Sequence, residues 1–192
     1  MRFKYVLFIA VSVLQTSCIT TQKPKEPSVV RLLTKDQRFM CSGTVVGSAA
    51  VLTADHCLDA AYIQSETNRN IVVPILRKFG NPRLDIAVVV ADVAQFASEN
   101  VEINPGEIWG AAYKRACGYP MGGELYCVNF KRTNRKYFQF QCEVDAYPGM
   151  SGGPIFARWT GKVIGVVSAV DEQGELLWTP TTELWNTVGV KP

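Results

Sequence analysis

From Val29 onward the chain is a succession of short apolar, β-branched runs cut by turn residues. Val29 to Leu33, Gly43 to Val46, Ala49 to Thr53, Ile71 to Leu76 and Ile86 to Val90 form one group. Ile108 to Tyr113, Tyr126 to Arg132, Lys136 to Val144, Ile155 to Ala157, Lys162 to Val170 and Leu176 to Thr179 form a second. Runs of this length at this spacing leave little room for helices and predict an antiparallel, all-β barrel or sandwich. Ile86-Ala87-Val88-Val89-Val90 is apolar throughout, which predicts a strand buried on both faces. Asp92 to Pro105 is more polar and reads as the link between two halves, about 29–100 and 106–180. A short helix over about 181–188, capped by Thr181 or Thr182, closes the chain. Its 192 residues fit one domain, or two small subdomains sharing a cleft. With 47% hydrophobic residues the chain can bury a core, which excludes a disordered protein. Trp109, Trp159, Trp178 and Trp185 have no stripe-like spacing and read as core.

Ahead of the first run, Arg2 and Lys4 precede an apolar stretch from Tyr5 to Leu14, the pattern of an export signal. A membrane span would need about 20 apolar residues. Residues 1–17 are therefore set apart from the fold, and 18–28, polar and carrying Pro24 and Pro27, read as a linker. Leu14-Gln15-Thr16-Ser17-Cys18 resembles a bacterial lipoprotein processing site, although Gln15 stands where an apolar residue is usual. A lipid on Cys18, giving membrane attachment, and an ordinary cleaved signal both remain open. In either case the chain is exported, secreted, periplasmic or anchored, where disulfides form. The formal charge of +3 includes Arg2 and Lys4 and is spread along the chain, which excludes a nucleic-acid partner. No cofactor is expected.

The chemistry concentrates in Ala146-Tyr147-Pro148-Gly149-Met150-Ser151-Gly152-Gly153-Pro154. Glycines around Ser151 allow a tight turn and close approach of a bound molecule, and the prolines fix the chain on either side. A serine hydroxyl needs an adjacent base, normally an imidazole oriented by a third group. The chain has one histidine, His56, in Leu52-Thr53-Ala54-Asp55-His56-Cys57. A single histidine with only Cys57 beside it makes a poor zinc site, so no metal is expected.

These segments resemble the trypsin-like serine endopeptidases. Gly149 to Pro154 is similar to their Gly-x-Ser-Gly-Gly-Pro, Leu52 to Cys57 to their Leu-Thr-Ala-Ala-His-Cys, and Leu84 to Val89 to their Asp-Ile-Ala-Leu segment. The order His, Asp, Ser is also the family's. The resemblance implies two six-stranded antiparallel barrels with the active site between them, and a catalytic triad of His56, Asp85 and Ser151. It implies an oxyanion hole from the N–H groups of Gly149 and Ser151, and a protein or peptide substrate hydrolysed through an acyl-enzyme, by a chain expected to be monomeric. Asp55, Asp59 and Asp92 are the rivals of Asp85. Asp55 adjoins His56 and should point away, and the other two lack the flanking motif. Asp85 begins an apolar run, where an unpaired carboxylate would be costly.

The resemblance also implies a Cys41–Cys57 bridge beside the histidine, contributing about 3 kcal/mol by closing its loop. Cys117, Cys127 and Cys142 are left. Cys127 with Cys142, across a hairpin turning at Asn134-Arg135, and Cys117 with Cys127, across one near Gly122-Gly123, are both open. Where animal relatives place an Asp that receives a newly cleaved amino terminus, this chain has Met150, and no Ile-Val-Gly-Gly-type start lies near Val29. Activity without such cleavage is expected, as in periplasmic Deg-type proteases and glutamyl endopeptidases. Gly118-Tyr119-Pro120 and Tyr147-Pro148-Gly149 resemble the glutamyl branch. No peptide-binding domain follows, so a two-domain chaperone-protease is not expected.

For specificity, Asp145 stands where Lys- or Arg-selecting relatives carry a pocket Asp, whereas Val170, two after Ser168, would narrow the pocket. Basic selection and its absence both stay open. The rival to an enzyme is a trypsin-like fold retained as a non-catalytic envelope module. A lipase or esterase is disfavoured because its triad runs Ser, Asp, His.

Overall fold

The computed structural model describes residues 28–96, 101–104, 113–130, 134–136 as backbone, 139–142, 144, 146–171 and 175–184. The first half holds strands β1 (Val29–Leu33), β2 (Phe39–Gly47), β3 (Ala50–Thr53), β4 (Tyr62–Gln64), β5 (Val72–Pro74), β6 (Arg77–Asn81) and β7 (Ile86–Val90). They form one antiparallel sheet in the order β5-β4-β1-β2-β3-β7-β6. The edge strands β5 and β6 are consecutive in the chain and only Ile75 and Leu76 separate them. Ile75 N–H donates to Ala61 C=O and Leu76 N–H to Val90 C=O, so one extended segment passes from one edge to the other and curls the sheet on itself. Counted along the chain, seven labelled strands are six, as the family resemblance implied.

The second half repeats the design with β8 (Lys114–Gly118), β9 (Tyr126–Phe130), β10 (Asn134–Lys136), β11 (Gln139–Cys142), β12 (Pro154–Ala157), β13 (Val163–Val170) and β14 (Leu176–Pro180). Its order is β10-β11-β14-β13-β12-β8-β9, again with consecutive strands at the two edges. The protein is thus all-β, two curled antiparallel sheets. Val163, Ile164, Val166 and Val167 of β13 are buried, as are Ile155 and Trp178. Each such side chain contributes about 1.5–3 kcal/mol over its exposed state. Trp178 stacks on Phe140 with ring centroids 4.7 Å apart.

Several sequence expectations need correction. β6 is exposed and polar and has no apolar rhythm; pairing with β7 makes it a strand. β7 is fully buried on one face only, through Ala87 and Val89, while Val88 and Val90 are half-buried. The second sheet begins at Lys114, after the run that ends at Tyr113, and residues 108–112 lie outside the described residues. Asn134-Arg135 is part of β10 and not a hairpin turn, so Cys127 and Cys142 do not face each other. Instead β8 and β9 place Cys117 directly opposite Cys127, and these two are bonded. Cys142 is a buried free thiol whose pKa burial pushes up to about 12, which makes it inert. Trp159 is 58% exposed and is not core, while Trp109 and Trp185 lie outside the described residues. Of the C-terminal helix, the described part is a 3-10 turn over Thr181–Glu183. Pro180 sits at the cap position of this turn and no side chain caps it. Residues 185–188 lie outside the described residues.

Several contacts join the halves. Along the link, Val101 N–H donates to Val45 C=O of the first sheet, and Val163 N–H to Glu102 C=O in the second. Nearer the cleft, Arg31 of β1 is 4% exposed, lies 4.1 Å from the Tyr119 ring centroid, and donates to the carbonyls of Gly122 and Gly123. A buried guanidinium is tolerable because each of its three nitrogens has an acceptor, Glu66 taking Nε at 3.3 Å.

Candidate active site

His56 lies in a 3-10 turn, Asp55–Cys57, that ends β3. The turn is held by Cys57 N–H to Ala54 C=O and by the Cys41–Cys57 disulfide to β2, the bridge the family resemblance implied. Asp85 ends the turn before β7, in which Asn81 Oδ1 accepts the N–H groups of Arg83 and Leu84. That turn leaves Asp85 at φ 49°, in the left-handed region.

The two side chains meet. His56 Nδ1 lies 3.0 Å from each Asp85 carboxylate oxygen, and the His56 backbone N–H donates to Oδ1 at 3.1 Å. An ionised carboxylate only accepts, so the ring proton is on Nδ1 and the free lone pair on Nε2. The hydrogen bond to Asp85 raises the His56 pKa against the opposing effect of burial. Burial pushes the Asp85 pKa up, but hydrogen bonds from His56 and Ser168 outweigh it and hold the carboxyl below its ordinary range. Asp55 makes no hydrogen bond to the imidazole among the described residues, and burial and the Asp85 charge raise its pKa.

Ser151 is carried on a turn between Ala146 and β12. Gly149 and Gly152 have φ of 95° and 79°, which favours glycine. A Cβ on Gly149 would stand 2.6 Å from Tyr119 C=O, and one on Gly152 would stand 2.2 Å from Ser42 C=O. Ser42, fully buried on β2, braces this turn from the first sheet. Its N–H donates to Ser151 C=O at 2.8 Å and its hydroxyl to Gly149 C=O at 2.7 Å, while Oγ accepts Tyr119 N–H at 3.0 Å. Met121 N–H donates to Pro148 C=O at 2.7 Å. In a trans peptide the C=O and N–H point opposite ways, so this bond turns the Gly149 N–H away from Met121. Among the described residues neither the Gly149 nor the Ser151 N–H has an internal acceptor.

His56, Ser151, Ser168 and Val170 line one open pocket of about 530 Å³ with Ala146, Tyr147, Pro148 and Ala169. The Ser151 hydroxyl donates to Ser168 C=O at 3.2 Å, and no hydrogen bond joins it to His56. Serine has three staggered rotamers, and catalytic hydrogen bonds in ligand-free sites are commonly loose. Ser168 contributes its backbone to the pocket, but its side chain turns away to donate to Asp85 Oδ2. Val170, 38% exposed, stands at the rim. Asp145 and Cys18 lie outside the described residues. Cys41, His56 and Cys57 are close together, yet the two sulfurs are bonded to each other and offer no thiolate to a metal. Ser42, Gln139 and Thr179, which brace the site, were missed by sequence reasoning. Their partners lie tens of residues away and no local pattern marks them.

Comparisons with known proteins agree with the fold. The chain is similar to the Rv3671c protease from M. tuberculosis in its active form, at TM-score 0.64 and 19% identity over 88% of this chain and 83% of that one. It is similar to HL collagenase, at TM-score 0.68 and 18% identity over 86% and 95%. With the serine endoprotease from Yersinia pestis the TM-score is 0.68 at 18% identity, over 86% of this chain and 63% of that one. No curated protein matches the sequence. The family described as "Trypsin-like peptidase domain" matches residues 41–166, from the bridged Cys41 past the Ser151 turn. With that match spanning more than half of it, the chain belongs to the trypsin-like peptidase family of serine endopeptidases.

Proposed function

We propose that the protein is an exported endopeptidase that cleaves peptide bonds through Ser151, His56 and Asp85, by way of an acyl-enzyme. The observation that carries this reading is the bond of His56 Nδ1 to Asp85, which leaves Nε2 free on the wall of the pocket that Ser151 shares. In this reading Ser151 Oγ attacks the substrate carbonyl as its proton passes to Nε2. The unengaged N–H groups of Gly149 and Ser151 receive the oxyanion, and the imidazolium returns the proton to the leaving amine. Water then cleaves the ester by the same steps. Losing one oxyanion donor would cost about 3–4 kcal/mol of transition-state stabilisation.

Independence from a cleaved amino terminus is supported by the burial of Met150 in the second core and by the Ser42 and Met121 bonds that hold the turn without an ion pair. Export is supported by the N-terminal pattern and by two disulfides, with the mature chain a monomer, free or held by a lipid on Cys18. Among the described residues no helix is long and apolar enough to cross a membrane. The test is the intact mass of the purified chain with and without a fluorophosphonate, beside a Ser151→Ala variant. One adduct on the parent and none on the variant is expected. A folded parent that takes no adduct would instead mark a non-catalytic envelope module.

A further inference from the structure

We propose that Gln139 is a positioning residue for the Asp85 carboxylate, acting through the hydroxyls of Ser168 and Thr179; this rests on the role given to Asp85 above. Leu84 and Asp85 belong to the first sheet's β6–β7 turn, while Gln139, Ser168 and Thr179 belong to β11, β13 and β14 of the second. The Ser168 hydroxyl donates to Asp85 Oδ2, and the Thr179 hydroxyl donates to Leu84 C=O at 2.7 Å. Each hydroxyl has one proton, and a carboxylate or carbonyl can only accept it. Any further group on either oxygen must therefore donate. The Gln139 Nε2 amide reaches both, at 2.8 Å from Ser168 Oγ and 3.4 Å from Thr179 Oγ1. The same count assigns the amide its orientation, since its oxygen would face two hydroxyls whose protons are already given.

Gln139 thus aims two buried hydroxyl rotors at the first sheet. Ser168 is 2% exposed and Thr179 fully buried, so bulk water cannot take over that part. The turn they grip carries Asp85 at φ 49°, a conformation that persists when its surroundings over-determine it. The geometry of the carboxylate facing His56 is therefore set from across the cleft, by a residue with no hydrogen bond to His56 or Ser151.

His56 is the only histidine, so ¹⁵N-histidine labelling of the full chain reports its titration alone. Gln139→Leu removes the donors. Gln139→Glu is near-isosteric but competes with Asp85 and Leu84 for the hydroxyl protons. When Ser168 no longer points at Asp85, the carboxylate loses a donor and holds the His56 proton more tightly. Asp55 and Asp85, the charged groups acting on His56, are kept in both variants, but Gln139→Glu adds a carboxylate whose charge itself raises the His56 titration point, so the neutral Gln139→Leu carries the test. The expected result is an upward shift of the His56 titration point, larger for Gln139→Glu. The kcat falls about tenfold, with KM within about twofold of the parent. Variants that lose thermal stability yet keep the parent's kcat, or whose His56 titration is unmoved or lowered, would overturn the proposal. Failure of the triad reading looks different: Ser151→Ala and Asp85→Asn would then leave hydrolysis intact, whatever the Gln139 variants do.

Discussion

His56 meets Asp85 with both its ring and its own backbone, Nδ1 at 3.0 Å and the amide N–H at 3.1 Å from Oδ1. One carboxylate therefore fixes the tautomer of the imidazole and the turn that carries it. Asp85→Asn would remove the charge and present an amide that can offer a proton to Nδ1. The ring would then carry its proton on Nε2, the position that must be free. We expect kcat to fall by roughly 10⁴-fold with the fold intact. Circular dichroism and burst titration of the variant check both halves of the statement, and near-parental kcat would sink it.

The pH dependence follows from the same contact. In the proposed mechanism His56 must be neutral to accept the Ser151 proton, and the Asp85 hydrogen bond raises its pKa. The acid limb of kcat/KM is therefore expected above the ordinary histidine value of about 6.5. A limb at or below that value in the parent would contradict the contact.

Ser42 joins the halves at the most sensitive place. In Ser42→Ala the Gly149 carbonyl loses its donor in a partly buried setting and the Tyr119 N–H loses its acceptor in a buried one. Leaving such groups unpaired costs about 1–3 kcal/mol each. Thermal unfolding is expected at a lower temperature, and kcat is expected to drop more than KM rises, because the turn that presents the proposed oxyanion donors loosens. A stable variant with parental kcat would show that the brace is dispensable.

The Cys41–Cys57 bridge closes a loop with a sequence separation of 16 and ends beside His56. Replacing both cysteines by serine is expected to cost about 2–4 kcal/mol of stability, read as a shift of the denaturation midpoint. Replacing Cys41 and Cys57 should also lower kcat, because the turn that carries His56 loses its tether, whereas replacing Cys117 and Cys127, a bridge within one hairpin of the second sheet, should lower stability with a smaller loss of kcat.

How far such features can be read from sequence depends on the range of the forces that make them. His56, Asp85 and Ser151 stand in local motifs, because each needs a particular turn built from its neighbours, and the strand rhythm came from side chains facing a core. β6 lacked that rhythm because its partner β7 makes it a strand. Trp159 has the same apolar side chain as Trp178, yet only Trp178 lies opposite Phe140 and Val167 in the sheet. The choice between Cys117 and Cys142 as the partner of Cys127 was a question of register, which spacing left open and pairing decides. Gln139 and Ser42 act over 29 and 107 residues of chain, beyond any local pattern.

The amino-terminal end of the fold bears on how activity arises. Val29 is paired with Thr44 in β1, and its carbonyl accepts the Tyr119 hydroxyl at 2.8 Å, so the first strand is already committed to the sheet. At the position where a new amino terminus would seek a carboxylate there is Met150, buried against Gly118 and the second core. A charged amine placed there would lose its hydration and find no counter-charge. Chains starting at different residues between 19 and 28 are therefore expected to share one kcat/KM within about twofold, since the Ser42 and Met121 bonds hold the turn without a new terminus. Met150→Asp should lower stability by several kcal/mol without making any of these starts more active. Activity that appeared only after cleavage at a single site near Val29 would mean that the turn is ordered by the new terminus, and that Ser42 and Met121 do not suffice to hold it.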